Sequence, residues 1–276
     1  MNKIIIITVN YRNAKPTKSF IQSIEKCDHN NFLQIIIVDN DTTSNSFNIL
    51  KEIQNSSLIK INLIRSNENR FYWGGVSYAL ENFGINENKH FDWVIVCNND
   101  VEFYEQSFFS TLLQLNPNDY PIIAPKINSS LSGKNLNPFL THPISRIQDT
   151  YYRLYYSNSI TAKSVHKVGQ LANKIKKSMT HHPPTLNSHI YAPHGACIIF
   201  SKDFFSKGGY LETGFTMYGE EISTAEIAKK LDLSIQYIPS LILKHNDHQS
   251  MSESSYKENF LHSKETYYYL KRKYRS

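Results

Sequence analysis

Runs of consecutive apolar, mostly β-branched residues constrain this chain more than any other feature. Ile4–Ile7, Leu33–Asp39 (LQIIIVD) and Trp93–Cys97 show little polar alternation, so neither side of these strands is built to meet water. Between them lie polar stretches with helical character, Thr17–Lys26 and Ser46–Gln54. A further strand follows at Lys60–Arg65, and Gly74-Gly75 opens a helix through Leu80. Strands alternating with helices predict an α/β fold whose mostly parallel sheet is covered on both faces. In such sheets ligands bind outside the carboxyl ends of the strands. Those ends carry Asn10-Tyr11, Asp39-Asn40 and Asn98-Asn99-Asp100, so polar groups converge on one edge.

The pattern breaks down from Lys126 to Ile190, where Asn, Ser, Pro, His and Lys dominate around Tyr151-Tyr152 and Tyr155-Tyr156. Loops and short helices forming a lid or acceptor wall are expected there. Order returns with a strand at Gly195–Phe200 and a helix over Gly219–Leu231. A strand over Ser234–Lys244, broken by Pro239, precedes a helix over Tyr256–Tyr274, rich in tyrosine and lysine.

Lys3 and the isoleucines after it are closed off by Thr8 and Asn10, which predicts a buried strand rather than a secretory leader. No run approaches the roughly 18 apolar residues of a membrane span. Cys27, Cys97 and Cys197 are odd in number and lack metal-ligand spacing, so reduced, buried thiols in a reducing compartment are expected. The net charge of +6 is unevenly placed. Arg146, Arg153, Lys163, Lys167, Lys174, Lys176 and Lys177 face Asp149 alone, and Lys264, Lys271, Arg272, Lys273 and Arg275 crowd the tail. Such patches suit phosphates, acidic lipid or nucleic acid, and equally a solvated basic face. No signature of a nucleic-acid-binding module accompanies them.

Three short motifs carry chemistry. Asn98-Asn99-Asp100 puts a carboxylate and amide oxygens after a buried strand, a hard-donor site suited to Mg²⁺ or Mn²⁺. Glu220-Glu221 opens a helix after a Gly-rich aromatic segment. Acids there complement the helix dipole, and in a cleft one could act as general base. His245 ends a strand beside Asn246, Asp247 and His248, where an imidazole could complete a metal site or hold a phosphate.

The order NxY, strand-VDN, N-x₄-GG, strand-NND, GACIIF, YGEE and YIP-x₅-H runs from Ile4 to about Tyr274. In this order the chain resembles the family 2 glycosyltransferases, the inverting group with the GT-A fold, in the branch that builds bacterial O-antigen and capsule polysaccharides. The resemblance implies a GT-A catalytic domain over residues 1–255. Residues 1–125 would be its nucleotide-binding half, 126–190 a variable lid or acceptor segment, and 191–255 the acceptor half with the base. Residues 256–276 would form a basic, aromatic C-terminal helix.

Roles follow position by position from the resemblance. Tyr11 and Asp39 match the nucleobase- and ribose-holding positions, and Asn69 with Gly74 and Gly75 the loop and helix start under the donor. Asn98 and Asn99 belong to the donor site, and Asp100 matches the metal-binding aspartate. Glu221 stands where the catalytic base stands, with Glu220 just before it, and His245 closes the site near metal and diphosphate. Asn98 replaces a usual acid, Phe71 and Ser77 replace a glycine and an asparagine, and Glu221 replaces an aspartate. Ser223 and Ile227 replace an acid and an arginine.

The resemblance further implies a hexosyl or deoxyhexosyl donor linked to a nucleotide diphosphate, UDP or dTDP, and Mn²⁺ or Mg²⁺ as cofactor. The acceptor is a saccharide, free or lipid-linked, and nucleic acid is not a partner. The location is cytoplasmic, with peripheral contact at the inner face of the cytoplasmic membrane left open. A nucleotidyltransferase would carry a glycine-rich loop after the first strand, which Tyr11–Pro16 lacks. The alternatives are a degenerate, non-catalytic relative or a basic protein that binds nucleic acid or lipid.

Overall fold

The computed structural model describes residues 3–43, 45–85, 91–157, 186–247 and 256–275. Its first half runs β1 (Ile4–Asn10), α1 (Lys15–Glu25), β2 (Leu33–Asp39), α2 (Asn45–Ser56), β3 (Lys60–Arg65), α3 (Phe71–Asn82) and β4 (Trp93–Cys97). Then come β5 (Val101–Glu102), α4 (Phe108–Leu113), β6 (Ile122–Ser129), α5 (Arg146–Tyr155), β7 (Ser188–Ile190), β8 (Cys197–Ser201) and α6 (Lys202–Ser206). α7 (Glu220–Lys230), β9 (Ile235–His245) and α8 (Tyr256–Tyr274) complete the order. Among the described residues no helix is long and apolar enough to cross a membrane. Lys163, Lys167, Lys174, Lys176, Lys177 and His248 lie outside the described residues.

The strands form one sheet in the order β3-β2-β1-β4-β8-β6-β9-β5, with β7 beside β9. β1 pairs parallel with β2 and β4, β2 with β3, and β6 with β9. β8 runs antiparallel between β4 and β6. Period-two alternation splits the apolar runs between two layers. Ile35 and Ile37, Trp93 and Ile95, and Cys197 and Ile199 join Phe20, Ile24, Leu50 and Phe108 on one face. Ile36, Val38, Val94, Val96, Ile198 and Phe200 join Trp73, Val76, Phe204 and Ile227 on the other. Both faces are covered, as the unbroken apolar runs require.

Local chemistry sets the helix starts. Pro16 sits in the first turn of α1, where its missing N–H costs nothing. α7 carries Glu220 and Glu221 in its first turn and Lys229 and Lys230 in its last, matching the helix dipole. Gly75 is required by close packing: an added Cβ would lie 2.9 Å from Val9 Cγ2 and 3.3 Å from Asn40 Nδ2.

Two expectations change. Residues 126–129 and 188–190 are not loop but the end of β6 and the strand β7. Pro239 does not break β9 either. The β6–β9 register jumps instead, from Pro125↔Ile238 to Lys126↔Ile242, so β9 absorbs the proline as an irregularity with no ladder bond to supply.

α8 is fastened to the loop ahead of α7. Glu212, 5% exposed, accepts the Tyr269 hydroxyl at 2.6 Å, the Tyr274 hydroxyl at 2.8 Å and the Gly214 N–H at 3.0 Å, and pairs with Lys273. Thr266 donates to the Met217 carbonyl at 2.7 Å. Burial would raise the Glu212 carboxyl, but these donors outweigh it and bring it from 4.5 down to about 2. A depressed folded-state pKa stabilises above the unfolded value and is lost as pH falls through the folded one. The Glu212→Gln variant is therefore expected to lose up to about 3 kcal/mol at neutral pH, less what the more exposed Lys273 gives to screening. Urea unfolding should show the gap to the native protein closing as pH drops from about 4.5 toward 2.

Candidate functional site

The sheet order places the site. The chain leaves β1 toward β2 and β3, then returns to β4 on the other side of β1, so the strand order reverses between β1 and β4. Asn10 closes β1 and Asn99 follows β4, and both meet Thr17 of α1. The Thr17 hydroxyl donates to Asn10 Oδ1 at 2.8 Å and accepts from Asn99 Nδ2 at 2.9 Å. Asn10 Nδ2 in turn donates to Asp39 Oδ1 at 3.1 Å. This chain of buried polar groups ties the ends of β1, β2 and β4 together.

Asp39 is fully buried, and it also accepts from the Ser46 hydroxyl at 2.9 Å and the Asp41 N–H at 3.3 Å. Burial raises its carboxyl above the ordinary range, against those donors. Beside it, Tyr11 is half-buried under the Arg12 guanidinium, 4.8 Å from the ring centroid. Arg65 donates to the carbonyls of Asp41 and Thr42 on the same rim. Asn69 is exposed and accepts the Phe71 N–H at 3.0 Å, while Asn40 Nδ2 holds the Phe71 carbonyl at 2.8 Å. Phe71 has φ 55°, the left-handed region that explains why a glycine would be at ease at this position. Gly74 and Gly75 follow in the first turns of α3.

A second cluster lies at the end of β4. The antiparallel register Val101↔His245 brings β9 beside the NND turn. His245 Nε2 lies 3.0 Å from Asp100 Oδ1, and its Nδ1 lies 3.0 Å from Asp247 Oδ1. Asp247 is held by the Ser129 hydroxyl at 2.7 Å and the Leu131 N–H at 3.1 Å. Burial would lower the His245 pKa, but the two carboxylates outweigh it and raise it. Asn98 is half-buried, and its N–H donates to the Ala196 carbonyl at 3.0 Å.

The third cluster is the carboxylate pair. Glu220 Oε2 accepts the Gly219 N–H at 2.9 Å, and Glu221 Oε1 accepts the Gly195 N–H at 3.2 Å. A Cβ on Gly195 would lie 2.5 Å from Glu220 Cγ and 2.9 Å from Glu221 Oε1, so only glycine lets the two acids close on this loop. Burial, then the charge of Glu220, raises the Glu221 carboxyl to about 8, and burial raises Glu220 as well. Two adjacent carboxyls desolvated together form a proton-accepting site near neutral pH.

The residues singled out from sequence are thus assembled at one sheet edge. Two further side chains join the clusters. Tyr72 donates its hydroxyl to the Gly195 carbonyl at 3.2 Å, and burial followed by nearby acids, Glu220 and Asp100 among them, raises its pKa. His194 precedes Gly195, and its ring lies 6.3 Å from that of His245. Its Nδ1 accepts the Ala196 N–H at 3.1 Å, which fixes any ring proton on Nε2, and burial lowers its pKa to about 4. The aromatic FYW triplet before Gly74-Gly75 and the PHGA turn before β8 were the available pointers.

Comparison with known proteins agrees with this layout. The chain is 25% identical over 258 residues to the low-salt glycan biosynthesis hexosyltransferase Agl10 of Haloferax volcanii, covering 93% of this chain and 72% of that protein. The mannosyltransferase PcManGT from Pyrobaculum calidifontis, solved with GDP-Man and Mn²⁺, superposes with a TM-score of 0.53 at 12% identity over 92% of this chain. S. aureus TarS superposes with a TM-score of 0.55 at 11% identity over 88% of it. The chain spans 58% and 36% of those two proteins, which share the GT-A fold with it. The model of the family described as "Glycosyl transferase family 2" matches residues 3–208, and the chain belongs to that family.

Proposed function

We propose that this glycosyltransferase moves a hexosyl or deoxyhexosyl group from a UDP- or dTDP-linked donor to a hydroxyl of a saccharide, in one inverting displacement. The observation that carries the reading is the Glu220-Glu221 pair closed on Gly195, across the His194 turn from the Asp100–His245 pair. That the Haloferax volcanii relative is a hexosyltransferase of glycan biosynthesis supports a hexosyl donor. The product is a cell-surface polysaccharide of the O-antigen or capsule kind. The enzyme works in the cytoplasm, with a lipid-linked acceptor and peripheral contact at the inner membrane face.

In this mechanism Glu221 takes the proton of the acceptor hydroxyl. The freed oxygen attacks the anomeric carbon, the bond from that carbon to the phosphate oxygen breaks, and the nucleotide diphosphate leaves with the electron pair. Gly195 N–H holds the Glu221 carboxylate in place through the transfer. Tyr11 holds the nucleoside at a rim that the buried Asp39 braces from beneath. Asn69, Gly74, Gly75 and Asn98 lie on the donor side, with the buried Asn99 bracing the strand ends behind them. Residues 1–125 act as the nucleotide half and 191–255 as the acceptor half.

The donor set fits a hard divalent ion. Asp100 and His245 offer oxygen and imidazole nitrogen in contact, and Asp247 orients the imidazole from behind. Among the described residues no group of three or more His, Cys, Asp or Glu could hold a metal. Two protein ligands with substrate phosphates making up the rest suit Mg²⁺ or Mn²⁺. Bound there, the ion supplies positive charge to the diphosphate oxygens.

Thermal unfolding with UDP, dTDP, GDP and CMP, each with and without Mn²⁺, tests the reading. UDP or dTDP should stabilise by about 3 kcal/mol at roughly 100 times its Kd, more strongly with Mn²⁺. No response to any nucleotide would overturn it.

A further inference from the structure

α5 has two faces, and one of them packs on α8. Tyr152 and Tyr156 pack on Tyr267 with ring centroids 5.9 and 5.2 Å apart, and Tyr156 on Phe260 at 5.8 Å. Asp149, the helix's one acid, is turned inward as well. It accepts the Tyr267 hydroxyl at 2.7 Å and pairs with Lys271. The opposite side carries Ile147, Tyr151, Leu154 and Tyr155 at the i, i+4, i+7, i+8 spacing of a single stripe. Ile147 is 83% exposed and Leu154 57%. Arg146 and Arg153, both exposed, run along one edge of the stripe. Through the Tyr155–Phe260 contact at 5.7 Å the surface continues onto α8, where Leu261 is 46% exposed beside Lys257 and Lys264.

Among the described residues Ile147 and Leu154 thus stay exposed on a helix held in place by a Ser145–Gln148 capping box. We propose that this stripe seats the enzyme on an anionic lipid bilayer. The apolar side chains would reach the acyl boundary, the tyrosines the headgroup level and the two arginines the lipid phosphates. An amphipathic helix with arginines beside its apolar side chains suits an anionic bilayer surface. The inference rests on the membrane-contact part of the proposed function. It assigns that contact to α5 rather than to the basic tail.

The full chain is to be floated with vesicles of phosphatidylcholine alone and with roughly 30% phosphatidylglycerol. Native protein should float with the acidic vesicles only, and less at about 0.5 M salt. The Ile147→Ser/Leu154→Ser pair and the Arg146→Gln/Arg153→Gln pair should each cut the bound fraction about five-fold or more. Both should keep the native melting curve and the native response to nucleotide. Native protein that ignores acidic vesicles overturns the inference. So does flotation kept by both α5 pairs but lost in Lys257→Gln/Lys264→Gln/Arg272→Gln. A concentration-dependent dimer that the Ile147/Leu154 pair abolishes, without lipid binding, assigns the stripe to a second copy and also overturns it. Nucleotide stabilisation is measured in the same samples, so failure of transfer chemistry and failure of lipid binding are read separately.

Discussion

The Glu221→Gln variant is expected to transfer about 10²- to 10⁴-fold more slowly than the native enzyme while binding nucleotide within about two-fold. The substitution keeps the side chain's shape and an oxygen for the Gly195 N–H, which Glu221 Oε1 accepts at 3.2 Å. What it removes is the proton acceptor. The pH profile sharpens the test. A base raised to about 8 by burial and by Glu220 is protonated below that value. Native kcat/KM should therefore climb tenfold per pH unit at lower pH and level off above about 8. Glu220→Gln takes away the neighbouring charge that raises Glu221, so its ascending limb should move to lower pH with the plateau largely kept. Should Glu220→Gln silence the enzyme while Glu221→Gln merely shifts the profile, the two acids trade roles.

Asp100→Asn is the second large effect. Asp100 is 3% exposed, and its Oδ1 lies 3.0 Å from His245 Nε2. The amide is neutral and binds a hard cation far less well than a carboxylate. Turnover should fall by about 10²-fold or more. The extra thermal stabilisation that Mn²⁺ adds to the bound nucleotide should disappear, while the metal-free part remains. A full Mn²⁺ increment in Asp100→Asn would remove Asp100 from the metal site. The same increment in native protein should weaken as pH falls, because the acid neighbours raise the His245 pKa and a protonated imidazole cannot ligate.

Much of the architecture of the first half was legible in the residues. β2 and β4 match the boundaries their apolar runs mark, since a strand buried on both faces writes an unbroken run. β3, at the sheet edge, matches too, although KINLIR alternates polar and apolar residues. The NND turn, Glu220-Glu221 and His245 were legible as polar groups at element ends. What joins them was not. The β9–β5 register that delivers His245 to Asp100 pairs residues 144 apart in sequence, and no local pattern records it. Pro239 reads as a break, yet β9 runs past it because a register jump leaves no ladder bond for it to supply. Tyr72 and His194 are single residues in a helix start and a turn, and Glu212 looks like any surface acid until α8 folds back over it.

The antiparallel pairing of β8 with β4 also bears on how such an enzyme can diversify. β4 runs up to the cleft and β8 runs away from it, so Asn98–Asp100 and His194–Ala196 face each other across one rung, Cys97↔Cys197. The long stretch between β6 and β7 leaves and re-enters the sheet on the far side of that rung. Lengthening or exchanging it leaves the β1–β4 ladder untouched. On the proposed reading, in which that stretch shapes the acceptor side, a lineage can exchange it while the β1–β4 ladder is inherited unchanged.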